Sequence, residues 1–151
     1  MATLLQQVKN LEKLSQKAVT EEIFQALKKA EKEIISLNQG QLSKGQDSEG
    51  DIVGEYADIT QSYADADRIN NNKSAGDPYN FNWFGDFFDG FELSVSGVDA
   101  TISSVGVGSG GKKDFLTTND LFGLTDENLK FIIKTEILPF IHKFARNTLN
   151  L

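Results

Sequence analysis

Residues 83–95 read WFGDFFDGFELSV, and no other stretch limits what this chain can fold into as strongly. Trp83, Phe84, Phe87, Phe88 and Phe91 place five large rings within nine residues, divided by Gly85 and Gly90. A single ring buries ~150–250 Å², so side chains this dense must enter a core. From Phe91 onward the pattern changes to strict alternation. Phe91, Leu93 and Val95 interleave with Glu92, Ser94 and Ser96, the period of a half-buried strand. Ala100, Ile102 and Ser104 alternate with Thr101, Ser103 and Val105 after the turn formers Gly97, Val98 and Asp99, which predicts a second strand and a hairpin.

Helical periodicity flanks this hairpin on both sides. Leu4, Val8, Leu11 and Ala18, with Leu5 and Leu14 beside them, predict an amphipathic helix over residues 3–17. Thr20 is the expected N-cap of a second helix, whose stripe is Val19, Ile23, Leu27, Ala30, Ile34 and Leu37 and whose end is expected at residues 38–40. Both helices are expected to pack on a sheet or on partner copies. Thr125, followed by Asp126 and Glu127, caps a last helix over residues 126–147. Its stripe is Leu129, Ile132, Ile133, Ile137, Phe140, Ile141 and Phe144, and Pro139 is expected to kink or break it near Glu136. The fold class is therefore α+β: a small antiparallel sheet packed by N-terminal helices and a long C-terminal helix. One domain over residues 1–151 is expected, in a helical part (1–40), a β-rich part (41–113) and a C-terminal helical part (114–151).

Between the helices and the hairpin the chain is polar. Residues 47–50 read as a hairpin turn with arms at 41–46 and 51–57, and residues 58–82 as a long loop. Tyr63, Tyr79 and Phe81 lie in that loop as candidate anchors for a protein partner, with packing back onto their own domain as the alternative. The net charge of −7 is concentrated here: residues 45–89 hold ten acids against two bases, and residues 45–67 have no Lys or Arg. Such a surface repels a phosphate backbone, so tight nucleic-acid binding is not expected. The absence of cysteine removes disulfide and thiolate chemistry, and no apolar run is long enough for a membrane span or a signal peptide.

Several short motifs touch on chemistry. Residues 106–112, GVGSGGK, match a phosphate loop, but Lys113 stands where the magnesium-binding hydroxyl belongs and no βαβ alternation surrounds it. A short helix is expected over 113–119. Residues 65–70 begin like a calcium loop, yet Ile69, Asn70 and Gly76 occupy positions that require a ligand, a glycine and a glutamate. His142 is the sole histidine and has no cysteine or Glu-x-x-His to build a zinc site with. Asp86 and Asp89 are paired carboxylates that a small hydrolase would use, although a turn-forming role is the simpler reading. No nucleophile motif or triad is present. No cofactor or metal is expected, and the chain is read as non-enzymatic.

Two pieces, taken together, resemble a known family. One is GDPYNFNWFGDF at residues 76–87 followed by a strand; the other is LFGLTDEN at residues 121–128 opening the last helix. The layout is similar to that of the virion-morphogenesis and tail-completion (head–tail joining) proteins of tailed phages, in the version found in Bacteroidetes phages. Phe84-Gly85 replaces the Thr-Gly usual in the family. The resemblance implies an α+β fold and a structural role as a ring-forming tail-completion, neck or head–tail connector component. It implies self-association, contacts of residues 58–82 with neighbouring copies or another virion protein of the neck or tail, and DNA only as passing cargo. Residence in the virion after synthesis in the bacterial cytoplasm follows. The alternative is a stand-alone acidic binding module of inhibitor or immunity type, with residues 47–67 facing a basic partner.

Overall fold

The computed structural model describes residues 3–67, 73–82, 85–96, 99–104 and 120–151. Three helices open the chain: α1 (Leu4–Glu12), α2 (Gln16–Lys29) and α3 (Glu31–Leu42). Thr3 Oγ1 accepts from the Gln6 N–H at 3.3 Å and Ser15 Oγ from the Ala18 N–H at 3.2 Å, so both first helices start at a hydroxyl cap. The helix expected over 3–17 and the cap expected at Thr20 are both corrected, because α1 ends at Glu12 and Ser15 starts α2, which contains Ala18 and Thr20. The single helix expected over 20–40 divides at Ala30, whose φ of −84° and ψ of 2° leave helical geometry for one residue. Nor does it stop at residues 38–40: α3 runs through Gly40 to Leu42.

The segment that follows contains more helix and less strand than expected. Asp47 O accepts from the Gly50 N–H at 3.2 Å, and Asp47 Oδ1 from the Glu49 and Asp51 N–H groups at 2.9 Å each, so the 47–50 turn forms. Its arms do not become strands. They are held by the lone bridges Gln46–Ile52 and Glu55–Pro78. The long loop at 58–82 is corrected as well, since its first part is the helix α4 (Asp58–Ala66). A single turn, α5 (Asp86–Asp89), then leads into the hairpin of β1 (Phe91–Ser96) and β2 (Asp99–Ser104). The strands pair antiparallel from Phe91 with Ser104 to Ser96 with Asp99. The alternation predicted for β1 is seen: Phe91, Leu93 and Val95 are half-buried and the residues between them exposed. Trp83, Phe84, the glycine-rich 106–112 stretch and the helix expected at 113–119 lie outside the described residues.

The last helix comprises α6 (Asp126–Ile132), a π turn (Ile133–Ile137) and α7 (Leu138–Leu149). The π turn is how Pro139 is tolerated. In a regular helix its ring would strike the carbonyl four residues back, and widening the preceding turn moves that carbonyl away. The Leu138 N–H accordingly bonds to Ile133 O, and Thr135 Oγ1 donates to Phe131 O at 2.9 Å. Asn150, at φ 56°, ends α7 in the left-handed region.

Two clusters make the core. Ala26, Ala30 and Ile34 meet Ile102, Ile132 and Ile137, joining α2 and α3 to the hairpin and the C-terminal helix. Leu42, Phe87 and Leu121 form the second, with Val53, Phe81 and Phe88 against them. Phe91 and Phe122 touch both clusters and connect them. The arrangement is α+β, with a two-stranded antiparallel sheet among the described residues and a long C-terminal helix.

Candidate functional site

The described residues of the motifs at 76–87 and 121–128 are framework. Leu121 is fully buried, and Thr125 caps α6 by accepting from the Asn128 N–H at 3.4 Å. Two buried amides of α3 hold this turn. Asn38 Nδ2 donates to Leu121 O at 3.0 Å and to Gly123 O at 2.8 Å. Gln41 Nε2 donates to Gly123 O at 3.1 Å, while its Oε1 accepts from the Thr125 N–H at 3.0 Å and from Asn128 Nδ2 at 2.6 Å. Asn38, read from the sequence as part of a helix stop, thus joins Gln41, read as part of a hairpin arm, in a clamp that seats the C-terminal helix.

Of the three candidate interface aromatics, Tyr79 and Phe81 are half-buried and Tyr63 is exposed. Tyr79 and Phe81 belong to a ladder of ring contacts. Tyr56 meets Tyr79 at 5.0 Å, Tyr79 meets Phe81 at 6.3 Å, Phe81 meets Phe87 at 5.9 Å, and Phe87 meets Phe91 at 5.2 Å. Edge-on and tilted contacts of this kind add to the area the rings bury. Phe81 holds a φ of 53°, a strained position for an aromatic residue that the ladder compensates.

At the outer end of the ladder sits a buried lysine that sequence reasoning missed. Lys73 Nζ donates to Tyr56 Oη at 2.8 Å and to Asn80 Oδ1 at 2.7 Å and lies over the Tyr56 ring. Burial pushes its amine down to about 8. Burial also raises the Tyr56 phenol, although the Asn80 N–H on its oxygen works the other way. Nothing in the sequence around Lys73 distinguishes it from a surface lysine.

Asp86 and Asp89 stand on α5 with both side chains exposed, at the surface rather than in a cleft. His142 is likewise exposed on α7, as are Asp65 and Asp67 at the end of α4. Among the described residues no three His, Asp or Glu side chains gather where a metal ion would bind, and no helix is long and apolar enough to cross a membrane. A half-open pocket of about 270 Å³ lies between the hairpin and the helices, lined by Leu27, Ile34, Leu93, Ile102, Phe122 and Ile132. Its lining is mostly aliphatic with one ring, Thr101 being the one polar side chain, and no carboxylate, histidine or lysine stands beside that hydroxyl among the lining residues.

The surfaces that stand out are two helix faces. On α1 the one buried residue is polar while the apolar stripe is exposed: Asn10 is 1% exposed, whereas Leu4, Leu5, Val8 and Leu11 are 78%, 66%, 45% and 56% exposed. The inward Asn10 also has a buried Nδ2 without a partner. On α4, Thr60 and Ala64 face the protein, and Ile59 and Tyr63, one turn apart, are each 59% exposed. Comparison with protein families, with curated proteins and with solved structures finds no match.

Proposed function

We propose that this chain is a non-enzymatic structural protein that self-assembles into a ring, as a tail-completion, neck or head–tail connector component of a tailed phage. The observation that carries the proposal is the outward apolar face of α1. A contiguous apolar strip rimmed by polar residues marks an interaction surface, and a helix whose one buried side chain, Asn10, bonds through Oδ1 only to its own-helix neighbours Gln6 and Lys13 and leaves Nδ2 unpaired gains little from the rest of the chain. The phage assignment rests on the resemblance of residues 76–87 and 121–128. A net charge of −7 suits a ring through which DNA slides without adhering. In this reading the partners are further copies and adjoining neck or tail proteins. The protein is made in the bacterial cytoplasm and resides in the virion.

Electron microscopy of the purified full chain, together with probing of purified particles using an antibody to it, tests the proposal. Closed rings in the preparation and the protein in particles support it; dispersed monomers and particles free of it refute it. The exposed Ile59–Tyr63 pair among acids favours a second reading, an acidic module for a basic partner. Affinity capture yielding one stoichiometric basic protein and no virion component would support that reading instead.

A further inference from the structure

We infer that the apolar face of α1 on one copy seats on the Ile59–Tyr63 face of α4 on the next copy. This rests on the ring reading above and assigns the surfaces that build the ring. The occupant of each face is a second copy of this chain, and charge selects the pairing. Around α1, residues 3–17 carry Lys9, Lys13 and Lys17 against Glu12 alone. Around α4, residues 45–67 carry seven acids and no base. Asp58 and Asp65, both exposed, lie to one side of the Ile59–Tyr63 pair on the helix.

Placing α1 against α1 brings like charges together, and α4 against α4 does so more strongly. Only α1 against α4 opposes unlike signs while covering aliphatic side chains with an isoleucine and a tyrosine. A contact between two different faces is heterologous, so it repeats from copy to copy and generates a ring when the rotation closes. A contact of one face with itself would stop at two copies.

The test uses the full chain in three forms: wild type, an α1 variant (Leu4→Glu with Val8→Glu) and an α4 variant (Ile59→Glu with Tyr63→Glu). All four positions are exposed, circular dichroism checks folding, and serine pairs at the same positions serve if a glutamate pair fails to fold. Masses are read by light scattering after size exclusion. The expected result is that wild type assembles, each variant alone is monomeric, and an equimolar mixture gives a dimer with one copy of each. In that dimer the intact α1 of one variant meets the intact α4 of the other. Wild-type assembly retained by either variant overturns the inference and leaves the ring reading standing. A dimeric α4 variant beside a monomeric α1 variant assigns α1 to a two-fold contact and also overturns it. A monomeric wild type removes the ring reading too. If that monomer binds phosphatidylglycerol vesicles through Leu4 and Val8, α1 is a lipid-surface helix and the inference fails.

Discussion

Replacing Asn38 with alanine tests the clamp that orients the C-terminal helix. Asn38 is fully buried and supplies two hydrogen bonds to the 121–123 turn. Gly123 O keeps a second donor in Gln41, so its loss is that of one net bond, about 1 kcal/mol. Leu121 O is buried, and leaving it without its amide costs about 1–3 kcal/mol. Asn38 Oδ1 is itself buried without a partner, so deleting it returns part of this loss. The expected destabilisation is about 2–4 kcal/mol. With a urea slope of about 2 kcal/mol/M, the midpoint should fall by about 1–2 M. Equilibrium unfolding followed by far-UV circular dichroism measures this. Asn38→Asp separates hydrogen bonding from packing, because it keeps the shape but points a carboxylate at two carbonyls. Burial raises that carboxyl's pKa, so its deficit should shrink as pH falls through the raised value towards the ordinary carboxylate range and the acid becomes a donor. An Asn38→Ala variant within about 0.5 kcal/mol of wild type would refute the clamp.

Three further perturbations probe other parts of the account. Gly45 (φ 79°) and Gly76 (φ 83°) both occupy left-handed conformations, but an added Cβ at Gly45 would lie 2.5 Å from Pro78 Cβ whereas Gly76 has open space. Thermal or urea unfolding should therefore show Gly76→Ala costing about 1–2 kcal/mol and Gly45→Ala clearly more. Phe87→Ala removes the ring that contacts Phe81, Phe88, Phe91 and Phe122 and should cost about 3–5 kcal/mol in the same assay. Lys73 gives a pH signature: its folded amine is held at about 8 against 10.5 unfolded, so above pH 8 the unfolded state binds more protons. Wild-type stability should rise from pH 8 towards pH 10 relative to Lys73→Met, measured by urea titrations at stepped pH; a flat difference would contradict the burial of Lys73.

The hairpin and the last helix were legible because most of their hydrophobic period coincides with burial, although Ala100, Leu129 and Ile133 of the expected stripes are exposed. Phe91, Leu93 and Ile102 do face inward, as do Ile132 and Ile137. Where hydrophobicity and burial part company, sequence reasoning failed. The α4 helix presents Ile59 and Tyr63 outward and packs through Thr60 and Ala64, so its apolar period does not mark a core face. The α1 stripe was visible, but its outward direction depends on contacts with α7 far along the chain. Asn38 and Gly40 carried a valid local stop signal that distant partners overrode: Asn38 bonds to a turn more than 80 residues later. The exposed member of the candidate interface set, Tyr63, was named from its polar surroundings, whereas its companion Ile59 becomes evident only once residues 58–66 are helical.

Sedimentation equilibrium of the unmodified chain over a wide range of concentrations tests the central claim, that α1 turns outward to meet another copy. A discrete assembly with a mass a whole-number multiple of 16.7 kDa is expected. A single species of 16.7 kDa at every concentration would contradict it.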